Sequence, residues 1–139
     1  MSFTNEEENR LITVGWREWV SLPDLGINRI KAKIDTGART SALHGFAIEE
    51  FEEAGVQRLR FKIHPHQKND DKHVECIVDV ADRRVVRDSG GHEELRWVIK
   101  TDIFIGKHRW PAEFTLTSRD DMLFRMLLGR TAMVGRAIV

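Results

Sequence analysis

The sequence is poor in cysteine and carries no net charge, and each absence excludes a class of protein. Cys76 is the only cysteine among 139 residues, which excludes an intrachain disulfide and a cysteine-rich metal site. It lies in the apolar alternation of Val74, Cys76 and Val78, which predicts a buried structural thiol. The 22 basic residues balance 22 acidic ones, so no overall field favours nucleic acid or an anionic membrane.

Long apolar runs and a targeting signal are also lacking. No apolar stretch approaches the ~20 residues that a membrane span needs. Residues 1–10 are acidic and polar, where a signal peptide needs a basic end and an apolar core. The sequence therefore predicts a soluble cytoplasmic protein that binds neither nucleic acid nor membrane. We expect a polar leader over residues 1–10 and a single domain over residues 11–139.

Apolar residues recur at every second position over most of the chain, which predicts strands rather than helices. About seven or eight short strands are expected, and this number indicates a barrel or a sandwich. The clearest strands cover residues 11–20, 30–34, 59–63, 74–80, 95–99, 103–105 and 110–116. A last apolar strand at residues 137–139 indicates either an edge that pairs with another subunit or a clipped chain.

Helical patterns are confined to residues 47–54 and to a short stretch within residues 120–127. Turn signals separate the strands and predict hairpin tips at residues 23–26, 89–91 and 106–107. The expected fold class is therefore mainly β, with one or two short helices.

The strongest chemical signal is Asp35, which ends the alternating strand of residues 30–34 and precedes Thr36, Gly37 and Ala38. A carboxylate at this position stands where the strand stops and the backbone turns. Glycine in such a turn permits the close approach of another chain or a ligand. We predict Asp35 as the reactive group.

A second motif makes the first more specific: the apolar residues 126–128 are followed by Gly129 and Arg130. An early strand ending in Asp-Thr-Gly-Ala and a late apolar strand closed by Gly-Arg resemble the retropepsin-like aspartic peptidases. More closely, residues 15–20, 30–44 and 126–132 resemble a bacterial family labelled ATP-dependent zinc proteases. The resemblance covers nearly the whole chain and implies a closed barrel of six or more strands. It also implies that the late strand with Gly129 and Arg130 packs behind the aspartate turn.

The resemblance also implies a homodimer, because each chain supplies one Asp-Thr-Gly. Two Asp35 carboxylates would then share one proton around a water molecule, one acting as base and the other donating to the scissile carbonyl of a peptide substrate. By the same resemblance, Thr36 would hydrogen-bond across the dimer and Gly37 would let the two turns approach. The flap would be the loop at residues 65–72 or the one at residues 89–92.

Arg39 and Thr40 depart from the retroviral pattern, in which acidic residues follow Asp-Thr-Gly-Ala and one of them pairs with the late arginine. Arg130 needs another partner, for which Asp35, Asp120 and Asp121 are candidates. A direct pair with Asp35 would keep that carboxylate ionised and prevent proton sharing. A non-catalytic module that binds acidic peptides is therefore an alternative function on the same fold.

Arginines are concentrated in the segments that most resemble the family: Arg39, Arg83, Arg84, Arg87, Arg96, Arg119 and Arg130. Guanidinium groups in a cleft would bind carboxylates in bidentate geometry, which favours an acidic peptide substrate. The family is associated with ATP-grasp glutamate ligases, and this makes glutamate-rich protein tails the natural example. The predicted supporting or substrate-binding residues are Ala38, Arg39, His44, Arg87, Arg96, Gly129 and Arg130, besides the catalytic Asp35, Thr36 and Gly37.

The family label names zinc and ATP, but the sequence predicts no metal and no cofactor. It lacks His-Glu-x-x-His, and among its six histidines only His64, His66 and His73 share one loop. A zinc-dependent hydrolase that uses histidines together with Asp35 is a second alternative. Gly90 and Gly91 lack the lysine and helix of a phosphate loop, so any ATP dependence would come from a partner.

Overall fold

The computed structural model describes residues 12–65, 73–87, 90–118 and 124–138, and most of them are in strands. The strands are β1 (Ile12–Thr13), β2 (Arg17–Leu22), β3 (Ile27–Ile34), β4 (Ser41–His44), β5 (Phe46–Glu53), β6 (Val56–Ile63), β7 (Val74–Asp79), β8 (Asp82–Arg87), β9 (Glu93–Ile105), β10 (His108–Thr117), β11 (Met126–Leu128) and β12 (Ala137–Ile138). A 3-10 turn covers Pro23–Leu25, and the one-turn helix α1 covers Arg130–Met133. The predicted mainly β class is confirmed.

Six strands close into a barrel, as the resemblance implied. Around the ring their order is β10, β4, β11, β3, β2 and β9, and the pairing of β9 with β10 completes the circle. The first half of β9 extends beyond the barrel and forms a hairpin with β8. β5, β6 and β7 form a separate three-stranded sheet, and β1 pairs in parallel with β12.

The two-residue alternation buries one face of each barrel strand. In β3, Ile30 and Ala32 are fully buried while Lys33 between the core positions is exposed. Burying one such aliphatic side chain stabilises the fold by about 1.5–3 kcal/mol. Helix α1 is fastened to this core because the Trp110 indole N–H donates to the Ala132 carbonyl oxygen at 2.7 Å.

The predicted helix at residues 47–54 is wrong, because these residues form strand β5 against β6. Ala47 has a φ of 52°, which a helix does not allow, at a register shift between Phe46 and Glu49. The glutamate-rich composition suits a helix, but pairing with β6 decides the conformation. There Glu49 faces Arg60 across the ladder and forms an ion pair with it at 3.7 Å.

Other boundaries also differ from the sequence prediction. The second predicted helix falls within residues 120–127, of which residues 120–123 lie outside the described ranges. The described remainder is a bend at residues 124–125 followed by strand β11, so no helix forms there. Residues 11–20 are not one strand, because β1 and β2 are separated at residues 14–16. The final strand pairs with β1 of its own chain. No helix in the described part of the chain is long and apolar enough to cross a membrane.

Cys76 is buried in β7, as its alternation predicted. Its Sγ lies 3.5 Å from the Leu25 carbonyl oxygen, and burial, with a smaller contribution from the charge of Glu75, raises its pKa to about 12. Because only the thiolate reacts, we expect the native protein to resist iodoacetamide at a pH of about 8 and to be alkylated once unfolded. Mass spectrometry with and without denaturant measures this, and rapid alkylation of the native protein would contradict it.

Candidate active site

Asp35 is the first residue after β3, and two main-chain hydrogen bonds hold it there. The Ile34 N–H donates to the Trp16 carbonyl oxygen at 2.8 Å, and the Asp35 N–H donates to the Leu128 carbonyl oxygen at 2.9 Å. The second bond comes from β11, which runs parallel to β3. The barrel therefore fixes the direction of the Asp35 side chain, which is partly buried.

Thr36 and Gly37 form a tight turn after the aspartate. The Ala38 N–H donates to the Asp35 carbonyl oxygen at 3.2 Å, and the Gly37 N–H donates to Asp35 Oδ1 at 3.0 Å. No described residue donates a hydrogen bond to the other oxygen, Oδ2. Thr36 and Gly37 are exposed, so the turn presents its tip to solvent, while Asp35 itself is partly buried.

Gly129 and Arg130 lie directly behind this turn, as the resemblance implied. The Arg130 N–H donates to the Ala38 carbonyl oxygen at 2.8 Å, and the Gly129 N–H donates to Ser41 Oγ at 3.0 Å. A Cβ atom on Gly129 would lie 2.5 Å from the Thr40 carbonyl oxygen. Only glycine therefore allows the late strand to back the aspartate turn this closely.

The guanidinium of Arg130 forms no ion pair with Asp35. It is exposed, and within the described ranges it contacts no carboxylate. Its other candidate partners, Asp120 and Asp121, lie outside those ranges. The ion pair that would prevent proton sharing is thus absent from the part of the chain that the structure describes.

A groove of about 940 Å³ begins beside the turn and extends to β8. Its lining residues are Arg39, Thr40, Arg84, Val85, Val86, Arg87, Val98, Lys100, Pro111, Ala112, Glu113, Phe114, Thr115 and Thr131. Arg39 is held at the entrance because its carbonyl oxygen accepts hydrogen bonds from the Thr131 N–H at 3.1 Å and from Thr131 Oγ1 at 2.9 Å. Asp35 does not line the groove, so in a single chain its carboxylate lies beside this space.

Two of the groove's cations are already neutralised by carboxylates. Arg84 forms ion pairs with Asp82 at 2.7 Å and with Glu113 at 2.8 Å. Arg87 forms an ion pair with Glu93 at 2.5 Å. Hydrogen bonds, from a main-chain N–H first and from Arg84 second, hold the pKa of Asp82 below its usual range. These pairs fix the β8–β9 hairpin over the groove.

Arg39 and Lys100 are different, because neither forms an ion pair with a described residue. Both line the groove, and the one carboxylate in its lining, Glu113, is bound to Arg84. A ligand carboxylate that enters the groove would therefore meet two cations without competing carboxylates.

Two other predicted supporting residues, Arg96 and His44, do not line the groove. Arg96 is nearly buried and binds Glu94 at 3.2 Å and Thr115 Oγ1 at 3.4 Å, which ties the hairpin to the barrel. His44 is buried at the end of β4, where its N–H donates to the Arg125 carbonyl oxygen at 2.8 Å.

Sequence reasoning missed Ser41 and Lys100. Ser41 is buried, and its side-chain oxygen and carbonyl oxygen accept hydrogen bonds from Gly129 and Thr115. Its position within the specific run of residues 30–44 was the only available signal. Lys100 could not be found from its neighbours, because its place in the groove depends on the pairing of β9 with β10.

The histidines of the zinc alternative are only partly described. His64 stacks on Phe46 with ring centroids 4.3 Å apart, and His73 lies 6.4 Å from His64. His66 lies outside the described ranges. Among the residues that are described, no three His, Cys, Asp or Glu side chains group as metal ligands. The described histidines alone therefore supply no three-ligand zinc site.

Sequence comparison relates this chain to longer curated proteins. Two curated relatives named "Probable alpha-L-glutamate ligase" come from Parasynechococcus marenigrum, 45% identical over 130 residues, and Desulfotalea psychrophila, 43% identical over 126 residues. The matches cover 94% and 91% of this chain but 28% and 27% of those relatives, so the chain spans little more than a quarter of their length.

A solved structure and a family model extend the comparison. Lpg0085 from Legionella pneumophila, a protein of unknown function with a crystal structure, is 26% identical in sequence to this chain. The two structures superpose with a TM-score of 0.76, and the match covers 92% of each chain. The family model described as RimB-like, retropepsin-like aspartic endopeptidase RimB, matches residues 13–139. This chain therefore belongs to the RimB-like family of retropepsin-like aspartic endopeptidases.

Proposed function

We propose that this chain is one subunit of a homodimeric aspartic peptidase whose active site combines Asp35 from each subunit. The observation that carries the proposal is the Asp35 turn, which the main chain of β11 holds from behind, while its tip at Thr36 and Gly37 is exposed and Oδ2 accepts no hydrogen bond from a described residue. Such a turn can meet its own copy across a two-fold axis. Cleavage assays of wild type and Asp35→Asn, with the oligomeric state measured for both, test the proposal.

The mechanism follows from bringing two carboxylates together. Two adjacent carboxylates cannot both ionise at low cost, so the pair holds one proton. The ionised Asp35 takes a proton from a water molecule, whose oxygen attacks the carbonyl carbon of the substrate. The protonated Asp35 of the other subunit donates to the carbonyl oxygen. Proton transfer to the amide nitrogen then breaks the C–N bond and releases an amine and a carboxylic acid.

The groove supports an acidic substrate. Arg39 and Lys100 line it without carboxylate partners among the described residues, and a peptide passing Asp35 would meet Arg39 first. Arg39 can bind a substrate carboxylate in bidentate geometry, whereas Lys100 supplies a point charge. We therefore propose glutamate-rich protein tails as substrates.

The named relatives support the same substrate class. Most of each "Probable alpha-L-glutamate ligase" lies outside the matched segment, so the ligase activity itself is not assigned to this chain. A segment shared with such ligases would act on the glutamate-extended products that a ligase forms. We propose a functional link of this kind, in which the ligase uses ATP and this chain uses no metal and no cofactor. Metal analysis of the purified dimer tests whether the chain functions without a bound metal.

The double variant Arg39→Ala/Lys100→Ala is expected to raise the KM for a glutamate-rich peptide about tenfold, because two charge-assisted contacts are removed. The KM for a neutral peptide should change much less. The Thr131 hydrogen bonds go to the Arg39 main chain and survive this substitution. Lys107→Ala, in the exposed β9–β10 turn, is the matched control. Equal effects on acidic and neutral peptides would contradict the role of these cations.

A second candidate function is a non-catalytic module that binds acidic peptides. The observation that favours it is the groove itself, which offers cations to a ligand without including Asp35. It predicts acidic-peptide affinity in a protein that cleaves nothing.

A further inference from the structure

The outer face of β2 and β3 carries cations that no described carboxylate neutralises: Arg17, Arg29, Lys31 and Lys33. This is unusual for the molecule. On other strands of the described part, most arginines form ion pairs with carboxylates, as for Arg58, Arg60, Arg84, Arg87, Arg96 and Arg109, and Arg83 stacks on Trp97 instead. The positive charge of β2 and β3 is therefore available to an external anion.

Trp19 orders these cations without neutralising them. It is 43% exposed and lies directly opposite Lys31 in the β2–β3 ladder. The Arg29 guanidinium lies 3.9 Å above the ring centroid, and the Lys31 ammonium lies 5.3 Å from it. Stacking on an aromatic ring holds a guanidinium in place while its N–H groups stay accessible to an acceptor.

The row of cations leads to Asp35. Lys31 and Lys33 occupy alternate positions of β3, so they share a face and follow one another at roughly 7 Å. Arg29 lies at the register shift of the β2–β3 ladder and joins this face through its contact with Trp19. An extended peptide places alternate side chains at the same spacing of about 7 Å. An extended acidic chain therefore matches this row in both charge and period.

We propose that this surface, the β2–β3 cationic face (Arg17, Trp19, Arg29, Lys31 and Lys33), binds the acidic chain of the substrate outside the groove. The inference rests on the proposed function, because it takes the substrate to be a glutamate-rich chain that reaches Asp35. The same face of a second copy is excluded as occupant, since like charges repel. Arg29 lies six positions before Asp35, roughly 20 Å along an extended strand, so a substrate needs about six residues beyond the cleft to use the whole face.

Binding measured in the Asp35→Asn background tests the face separately from cleavage. The probes are fluorescein-labelled oligo-glutamates of about four and about twelve residues, of which only the longer one spans the face. The test variant adds Lys31→Gln and Lys33→Gln. The matched control adds Arg83→Gln and Lys107→Gln, which remove the same charge elsewhere; Arg83 also stacks on a tryptophan, Trp97, at 4.4 Å.

We expect the longer peptide to bind Asp35→Asn about tenfold more tightly than the shorter one, and the test variant to lose this advantage while the control keeps it. The inference is overturned if the test variant still binds the longer peptide more tightly than the shorter one. It is also overturned if the test and control variants lose this difference in affinity equally. Tighter binding of labelled oligouridine than of the long peptide would also overturn it, by assigning the face to nucleic acid. If the wild type cleaves no peptide while the longer oligo-glutamate still binds Asp35→Asn more tightly than the shorter one, the proposed peptidase activity is refuted and the binding role of the β2–β3 cationic face is supported.

Discussion

Replacing Asp35 by asparagine is expected to lower kcat for peptide cleavage by at least about three orders of magnitude, because the dimer loses the groups that take and donate the proton. The fold should survive. Asparagine keeps an oxygen that can accept the Gly37 N–H hydrogen bond, which is 3.0 Å long in the native turn. Mass spectrometry of cleaved acidic and neutral peptides gives the rate, and light scattering gives the oligomeric state.

Asp79→Asn is the matched control, because it removes an exposed carboxylate of β7 that binds Arg58 at 3.0 Å, away from the turn. It should cleave at the wild-type rate. A dimeric Asp35→Asn variant that still cleaves would refute the aspartic mechanism. A dimeric wild type without any cleavage would instead favour the peptide-binding module.

Replacing Gly129 by alanine is expected to destabilise the protein by about 3 kcal/mol or more, at the upper end of overpacking effects. The new Cβ would lie 2.5 Å from the Thr40 carbonyl oxygen, 2.6 Å from its carbonyl carbon and 2.9 Å from the Ala38 carbonyl oxygen. All three are main-chain atoms that cannot rotate away. The midpoint of urea unfolding measures the loss, and Tm should fall by about 10 °C.

Gly15→Ala provides the comparison for this loss, because its Cβ would meet nothing closer than 3.6 Å. Its effect should stay within about 1 kcal/mol. Because Gly129 backs the Asp35 turn, the folded fraction of Gly129→Ala should also cleave more slowly. Equal stability of the two alanine variants would show that the turn can move away from the late strand without cost.

The sequence predicted the parts of the molecule that local pattern determines. The alternation around Ile30, Ala32 and Ile34 predicted strand β3, and the Asp-Thr-Gly tripeptide that follows it predicted Asp35 at the end of that strand. The sequence failed where partner strands decide the conformation. Glutamates at residues 49–53 suit a helix by composition, yet β6 imposes an extended conformation through cross-strand arginines.

The candidate site shows the same division between local and distant information. Gly129 and Arg130 were correctly placed behind the aspartate turn because their motif is specific. Lys100 was not predicted as a groove residue, because the sequence around a lysine in an alternating strand does not indicate which other strand lies opposite it. Its position in the groove follows from the closure of β9 on β10, which no local pattern encodes.

The backing of the Asp35 turn also determines when the turn can become competent during synthesis. The bond from Thr131 to the Arg39 carbonyl oxygen joins residues 92 positions apart, and the bond from Gly129 to Ser41 joins residues 88 positions apart. Contacts so distant form late, since a long loop must close before they contribute. A nascent chain therefore carries Asp35 on an unsupported segment until residue 131 has been made, which separates synthesis of the protein from the onset of its proposed hydrolytic activity.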